Sequence, residues 1–124
     1  MMINFVDICS RGQLGHGDLN SLNEPLQISN LIGFKIIKIA AGGWHSCAIT
    51  DTGDLYVWGW NNFGQLGYPA EDEKDKEGVG LSAEPIAVDF QDEIQDVSCG
   101  SRHTVIMTGE NFFTIIKFPL NHFY

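Results

Sequence analysis

Basic side chains are scarce in this sequence. Its 124 residues hold 7 Lys and Arg against 16 Asp and Glu, a formal net charge of −9, and the only arginines are Arg11 and Arg102. A phosphate-binding surface needs clustered Lys and Arg, and no cluster exists, so direct nucleic-acid binding is not expected. Cysteine is sparse too. Cys9, Cys47 and Cys99 are odd in number and widely spaced, with no CxxC or Cys–His spacing that reads as a zinc site. They read as buried reduced thiols of an intracellular protein, and neither metal nor cofactor is expected. Long hydrophobic runs are missing as well. The N-terminal MMINFVDICSRG carries an early Asp7 and no basic segment, unlike a secretion signal. The C-terminal FFTIIKFPLNHFY is too short to cross a bilayer and is interrupted by Lys117 and Pro119. A soluble, intracellular protein is expected.

What remains is enough for one folded domain. The apolar fraction is 44% and the aromatic fraction 11%, which argues against global disorder. A compact chain of this length buries roughly two-thirds of its unfolded surface. Fourteen glycines favour short strands and tight turns over helices.

The chain repeats itself, and that governs the fold. Gly12-Gln13-Leu14-Gly15 returns as Gly64-Gln65-Leu66-Gly67, 52 residues on. Ala41-Gly42-Gly43-Trp44-His45-Ser46 returns as Cys99-Gly100-Ser101-Arg102-His103-Thr104, 58 residues on. Pro25 and Pro85 stand between the blocks in the same order, each ahead of an apolar run. The offsets differ because the second copy carries YPAEDEKDKEGVGLSAE, with seven charged residues in a row at 71–77. This segment reads as a solvated insertion loop, since EF-hand ligand positions and their central glycine are out of register.

Between the loops the pattern has period two. Leu55 and Val57 point one way while Tyr56, Trp58 and Trp60 point the other; both sets are apolar, as in a strand covered on both faces. Ser46–Thr50, His103–Thr108, Lys35–Ala41 and Ile94–Cys99 are further strands, and Asp51-Thr52-Gly53 is a hairpin turn. Each copy supplies three or four short antiparallel strands, the content of one propeller blade.

The reactive-looking residues read mainly as frame. Gly42, Gly43 and Gly100 fit a bend where backbones pass closely or φ is positive. His45 and His103 fill one repeat position, and a histidine recurring once per repeat is expected to tie backbone or a neighbouring turn rather than to catalyse. Ser46 lies on the opposite strand face from His45, so a nucleophile–base pair is not formed. Cys47 shares the His45 face, yet the matched second-copy position, Val105, keeps no thiol, and no orienting third group is specified. In Gly64-Gln65-Leu66-Gly67 the glycines shape a turn, Leu66 plugs an apolar gap and the Gln65 amide satisfies orphaned loop groups. Gly53 belongs to the hairpin, and Trp58-Gly59 to a strand end. Trp44 and Arg102 occupy one variable position beside the histidine; both residue types are frequent binding hot spots, so they are the candidate partner contacts.

IAAGGWHSCAITDTGDLYVWGWNNFGQLG closely resembles the repeat of the regulator of chromosome condensation family, with its Gly-rich turn and His, TxxG hairpin, WG pair and GQLG in order. VSCGSRHTVIMTGE, after its acidic insertion, looks like the small repeat protein of that family that partners a JmjC-domain histone hydroxylase or demethylase. The resemblance covers about residues 10–110. It implies an all-β fold, an open arc of about two blades from a seven-bladed propeller. The boundaries are then a degenerate end of a preceding repeat at 1–11, one repeat at 12–63, a second at 64–110 with its insertion loop at 68–84, and an off-pattern apolar tail at 111–124. The implied function is a non-enzymatic protein-interaction module linked to chromatin regulation, nuclear or nucleocytoplasmic, with a JmjC-domain oxygenase or chromatin protein as partner. The alternative is guanine-nucleotide exchange on a small GTPase. About two repeats cannot close a seven-bladed ring, so the chain reads as a fragment, a truncated product or a mispredicted gene model, or as one that self-associates through open blade edges.

Overall fold

The structure, a computed structural model, describes residues 11–22, 24, 26–68, 79–109, 112–116 and 121–123. Cys9, Pro25 and the charged run at 71–77 lie outside them. Strands β1 (Ile36–Ala41), β2 (His45–Thr50), β3 (Leu55–Trp60) and β4 (Leu81–Ala87) make one antiparallel sheet in chain order. Strands β5 (Ile94–Cys99), β6 (Thr104–Thr108), β7 (Phe112–Ile116) and β8 (Asn121–Phe123) make a second in the same order. A 3-10 turn at Ser29–Leu31 leads into β1, and the described residues hold no α-helix. The fold is all-β, as two blades of an open arc.

The repeat is visible down to its irregularities. β1 and β5 are related by the 58-residue offset, and each slips register at the same place against its neighbour, between Ile36 and Lys38 and between Ile94 and Asp96. A bulge bends a strand and adds local twist, so both sheets begin with the same twist.

Burial follows the period-two pattern. Cys47, Ile49, Leu55 and Val57 leave one face of the first sheet and meet Leu66, Ile94, Val97, Ile106 and Ile116 in the larger core. Ala48 and Trp58 leave the other face and pack with Ile28, Leu31 and Ile36. All six residues of β2 are buried, because the second sheet covers one face and the 26–34 segment the other. The Asp51–Gly53 hairpin reaches the second sheet, where Ile94 N–H donates to Gly53 O at 3.0 Å.

One sequence expectation is corrected. Residues 81–84, assigned to the insertion loop, are the first half of β4. β3 ends in a tight turn and leaves an unpaired edge, which Leu81–Ala87 satisfies, with Ile86 against the core. Pro85 is tolerated because β4 is an edge strand that needs few donors. The tail has lost the repeat motifs yet keeps the strands: β7 pairs along all of β6, with Thr114 and Ile116 buried. Pairing there requires only β-prone residues with one inward face.

Gly59 shows how tightly the strand ends are set. Its φ is +107°, and a Cβ there would stand 2.5 Å from Trp44 O. Gly33, at φ +94°, has nothing within 4 Å of the same added atom. Gly33→Ala is expected to cost only the conformational strain, about 1–2 kcal/mol. Gly59→Ala adds a backbone clash and is expected to cost about 2 kcal/mol more. Urea denaturation of the two variants decides; equal losses would contradict the packing described.

Candidate functional site

The two sheets meet at a buried junction built from the repeat motifs. Gly42 N–H donates to His45 O at 2.9 Å, and Gly100 N–H donates to His103 O at 2.9 Å, so both Gly-x-x-His segments form the same bend. The bends lie side by side, Gly43 N–H donating to Gly100 O at 3.3 Å. A Cβ on Gly42 would stand 2.3 Å from Gly100 O, so only glycine lets these backbones approach.

His45, 1% exposed, reaches from the first sheet to the second. Its Nε2 lies 2.8 Å from Thr104 Oγ1, and the Thr104 hydroxyl donates to Gln65 O at 2.9 Å. That hydroxyl has one proton, committed to the carbonyl, so it accepts from His45 Nε2–H. The imidazole is therefore held with its lone pair on Nδ1, which is buried without a hydrogen-bond partner. Thr104 is the counterpart of Ser46, whose Oγ donates to Gln13 O at 2.9 Å. Each GQLG turn is thus docked onto a strand by a hydroxyl at one repeat position. In the first copy Trp58 Nε1–H adds a second bond to Gln13 O, at 2.9 Å. His103 keeps the bend but is exposed, since no third sheet follows it among the described residues.

The second GQLG turn is closed by its own residues. Gly64 N–H donates to Asn61 O at 3.0 Å and Gly67 N–H to Gly64 O at 2.9 Å. Gln65 Oε1 accepts from Phe63 N–H at 2.9 Å, and Leu66 is fully buried in the larger core. Asn61, which sequence reasoning passed over, is fully buried and binds Leu66 N–H, Tyr68 O and Val79 O. Its side chain fastens both feet of the insertion. An Asn directly after a strand-terminal WGW was the available signal.

Sequence reasoning paired His45 with no completed nucleophile. Ser46 does face away, as expected. Cys47, however, finds a partner from a different repeat position: its Sγ is 3.4 Å from Cys99 Sγ. Cys99 is pulled down to about 5, first by the hydrogen bond from the Cys47 thiol and further by His45. Cys47 is pushed up by that same bond and by burial. The pair shares its protons, the more accessible sulfur ionising first.

Trp44 and Arg102 sit on the two adjacent bends, so the structure brings them to one rim. Trp44 is 43% exposed, and its carbonyl accepts from Trp60 N–H at 2.8 Å. The Arg102 guanidinium lies 4.7 Å from the centroid of Phe63 and that of Arg11 5.7 Å from Trp60. Trp60 and Phe63 pack edge to face at 5.2 Å. The result is a surface row Arg11–Trp60–Phe63–Arg102. Arg11 and Phe63 each precede a GQLG turn, so positions 11 and 63 are equivalent, as are 44 and 102. The pair 44 and 102 is the variable position that the sequence marks, whereas 11 and 63, beside an invariant turn, were equally legible and were missed.

Comparison with known proteins places these features. The regulator of chromosome condensation (RCC1) repeat profile matches residues 10–49 and 52–107, and a second profile of that description matches 36–65. RCC1 domain-containing protein 1 of Mus musculus is 36% identical over 127 aligned residues, covering 78% of this chain and 34% of its own length. Ultraviolet-B receptor UVR8 of Arabidopsis thaliana is 40% identical over 105 residues, covering 81% of this chain and 21% of its own. The crystal structure of Prp20p from Saccharomyces cerevisiae superposes with a TM-score of 0.75 at 23% identity, over 89% of this chain and 27% of Prp20p. The chain therefore spans about a third or less of the proteins it matches. Among the described residues no helix is long and apolar enough to cross a membrane.

One exposed contact also bridges the sheets. Lys38 Nζ lies 2.7 Å from Asp96 Oδ1, both side chains 46% exposed, and the lysine holds the Asp96 carboxyl below its ordinary value. A depressed carboxyl contributes stability above the unfolded value near 3.9 and loses it as pH falls through the folded one. Exposed pairs contribute at most about 1 kcal/mol. Asp96→Asn is expected to lower unfolding free energy by less than that at pH 7, to cost nothing in high salt, and to cost nothing near pH 2. A larger, salt-insensitive loss would contradict this.

Proposed function

The chain belongs to the regulator of chromosome condensation (RCC1) repeat family, and from that premise we propose that it is a non-catalytic protein-interaction module acting in chromatin regulation through a partner protein. The observation that carries the reading is the row Arg11–Trp60–Phe63–Arg102 with Trp44 beside it. Its aromatic rings are partly exposed, Phe63 at 48%. Neither guanidinium meets a carboxylate among the described residues. Stacking on a ring holds a guanidinium in place while its edge N–H groups stay free to bind. A partner surface presenting carboxylates beside an apolar pocket would meet ready-placed donors and rings, the composition of a binding hot spot.

Prp20p, which shares the fold, is a protein whose binding to Gsp1p and histones has been described. For this chain the resemblance around Arg102 favours a JmjC-domain oxygenase as partner and the nucleus as the place of action. Blades that repeat a frame and vary their rims suit this role, because new contacts cost the core nothing.

A pull-down with the JmjC-domain oxygenase tests the reading. The wild-type chain is expected to recover it, and the Trp44→Ala/Arg102→Ala double variant to bind at least about 30-fold more weakly, the size of one lost hot spot. The variant should melt within a few degrees of wild type, since both residues are exposed. Undiminished binding would remove the row from the interface. Accelerated nucleotide release from a small nuclear GTPase would instead establish an exchange factor and overturn the proposal.

A further inference from the structure

Cys47 and Cys99 stand 52 residues apart, on β2 of one sheet and at the end of β5 of the other. No local spacing joins them, which is why the sequence reads as free of metal sites. In the fold, both sulfurs and a ring nitrogen of His45 lie within 4.8 Å of one another. We propose that His45, Cys47 and Cys99 form a Zn2+ site that bridges the two sheets, with two thiolates and one imidazole as ligands and the fourth position opening past half-buried Cys99.

Three features of the junction support this. The first is distance. Two thiolates on tetrahedral zinc, each about 2.3 Å from the metal, stand about 3.8 Å apart, whereas disulfide sulfurs are about 2.05 Å apart. The 3.4 Å separation of Cys47 and Cys99 is close to the first and far from the second. Small movements of two side chains would admit the ion.

The second is the orientation of the imidazole. Metal-bound histidines characteristically donate their other N–H to a fixed oxygen, which selects the tautomer and the ring plane. His45 Nε2–H is so fixed by Thr104 Oγ1, itself anchored on Gln65 O. The lone pair is then on Nδ1, a buried atom with no partner. A buried, unsatisfied nitrogen costs about 1–3 kcal/mol, and a metal would satisfy it.

The third is charge. Two thiolates balance Zn2+, and a neutral imidazole adds nothing, so the complex is neutral in a place where His45 and Cys47 are shut off from solvent. Buried net charge is strongly disfavoured. Cu+, the other ion with a strong preference for thiolates, would leave a net negative charge there. Binding forms two Zn–S bonds and one Zn–N bond and releases the remaining thiol protons to solvent, with no change of oxidation state.

The test uses the full chain, reduced, stripped with a chelator and titrated with Co2+ as the spectroscopic probe. The expected result is one ion per chain, thiolate-to-cobalt charge transfer in the near ultraviolet, intense visible bands of tetrahedral cobalt, and loss of both on adding Zn2+. Zn2+ alone should raise the melting temperature. Cys99→Ser, at the half-buried position, should fold but lose both the bands and the shift. Ser101→Cys, two residues away on the surface, should leave them intact. A folded wild-type chain that gives no bands and no shift with one equivalent of metal would overturn the proposal. So would a response to Cu+ alone, or a peroxide-formed Cys47–Cys99 disulfide in a chain that binds no metal.

Discussion

Thr104 holds this arc together through its single hydroxyl group. The hydroxyl accepts from His45 on the first sheet and donates to the Gln65 carbonyl, in the turn that leaves that sheet, while its own strand belongs to the second. Three segments separated by 39 and 59 residues converge on one oxygen. All three groups are buried, so breaking the joint leaves polar atoms that water cannot reach, at about 1–3 kcal/mol each. The exposed Lys38–Asp96 pair, which spans the same junction, contributes less than any one of them. Apolar packing between Cys47, Ile49, Val97 and Ile106 supplies the larger share of attraction, but it is non-directional. The hydroxyl joint fixes where one sheet sits on the next.

That joint explains why the repeat motif consists of the residues it does. A hydroxyl at position 46 or 104 needs a carbonyl to hold, and the GQLG turn presents Gln13 O or Gln65 O to it. The turn needs glycines for its tight backbone and a leucine to seal its apolar side. The bend before the histidine needs glycine because two backbones touch there. A frame so constrained leaves its rim free to vary. Positions 11 and 63, and 44 and 102, differ between the two copies at that rim, and there the structure gathers its arginine–aromatic row.

Much of this was legible. Local periodicity gave β2 and β3 with the correct faces, and the recurring blocks gave two blades. What the sequence hid depended on contacts between distant segments. β4 was obscured by its position after a charged insertion and by Pro85, because an edge strand needs a partner more than it needs a pattern. The tail lost its motifs but not its strands, since β7 requires only β6 beside it. Cys99 looked solitary because its neighbour is Cys47 of the other repeat, and spacing rules read ligands along one chain segment. Pairing by repeat position pointed to Val105 instead. At the rim, variation between the repeats marked Trp44 and Arg102, but Arg11, Trp60 and Phe63 join Arg102 only through ring contacts between distant segments.

The central claim is that a hydroxyl at position 104, rather than the volume of its side chain, locks the two blades in register. Thr104→Val keeps shape and removes the hydroxyl, while Thr104→Ser keeps the hydroxyl and removes a methyl group. Denaturant unfolding of both, followed through the buried Trp58, compares them directly. The account predicts a loss of about 2–4 kcal/mol for valine, from two orphaned polar groups, and of about 1 kcal/mol for serine. A valine variant as stable as the serine variant would show that packing alone positions the blades.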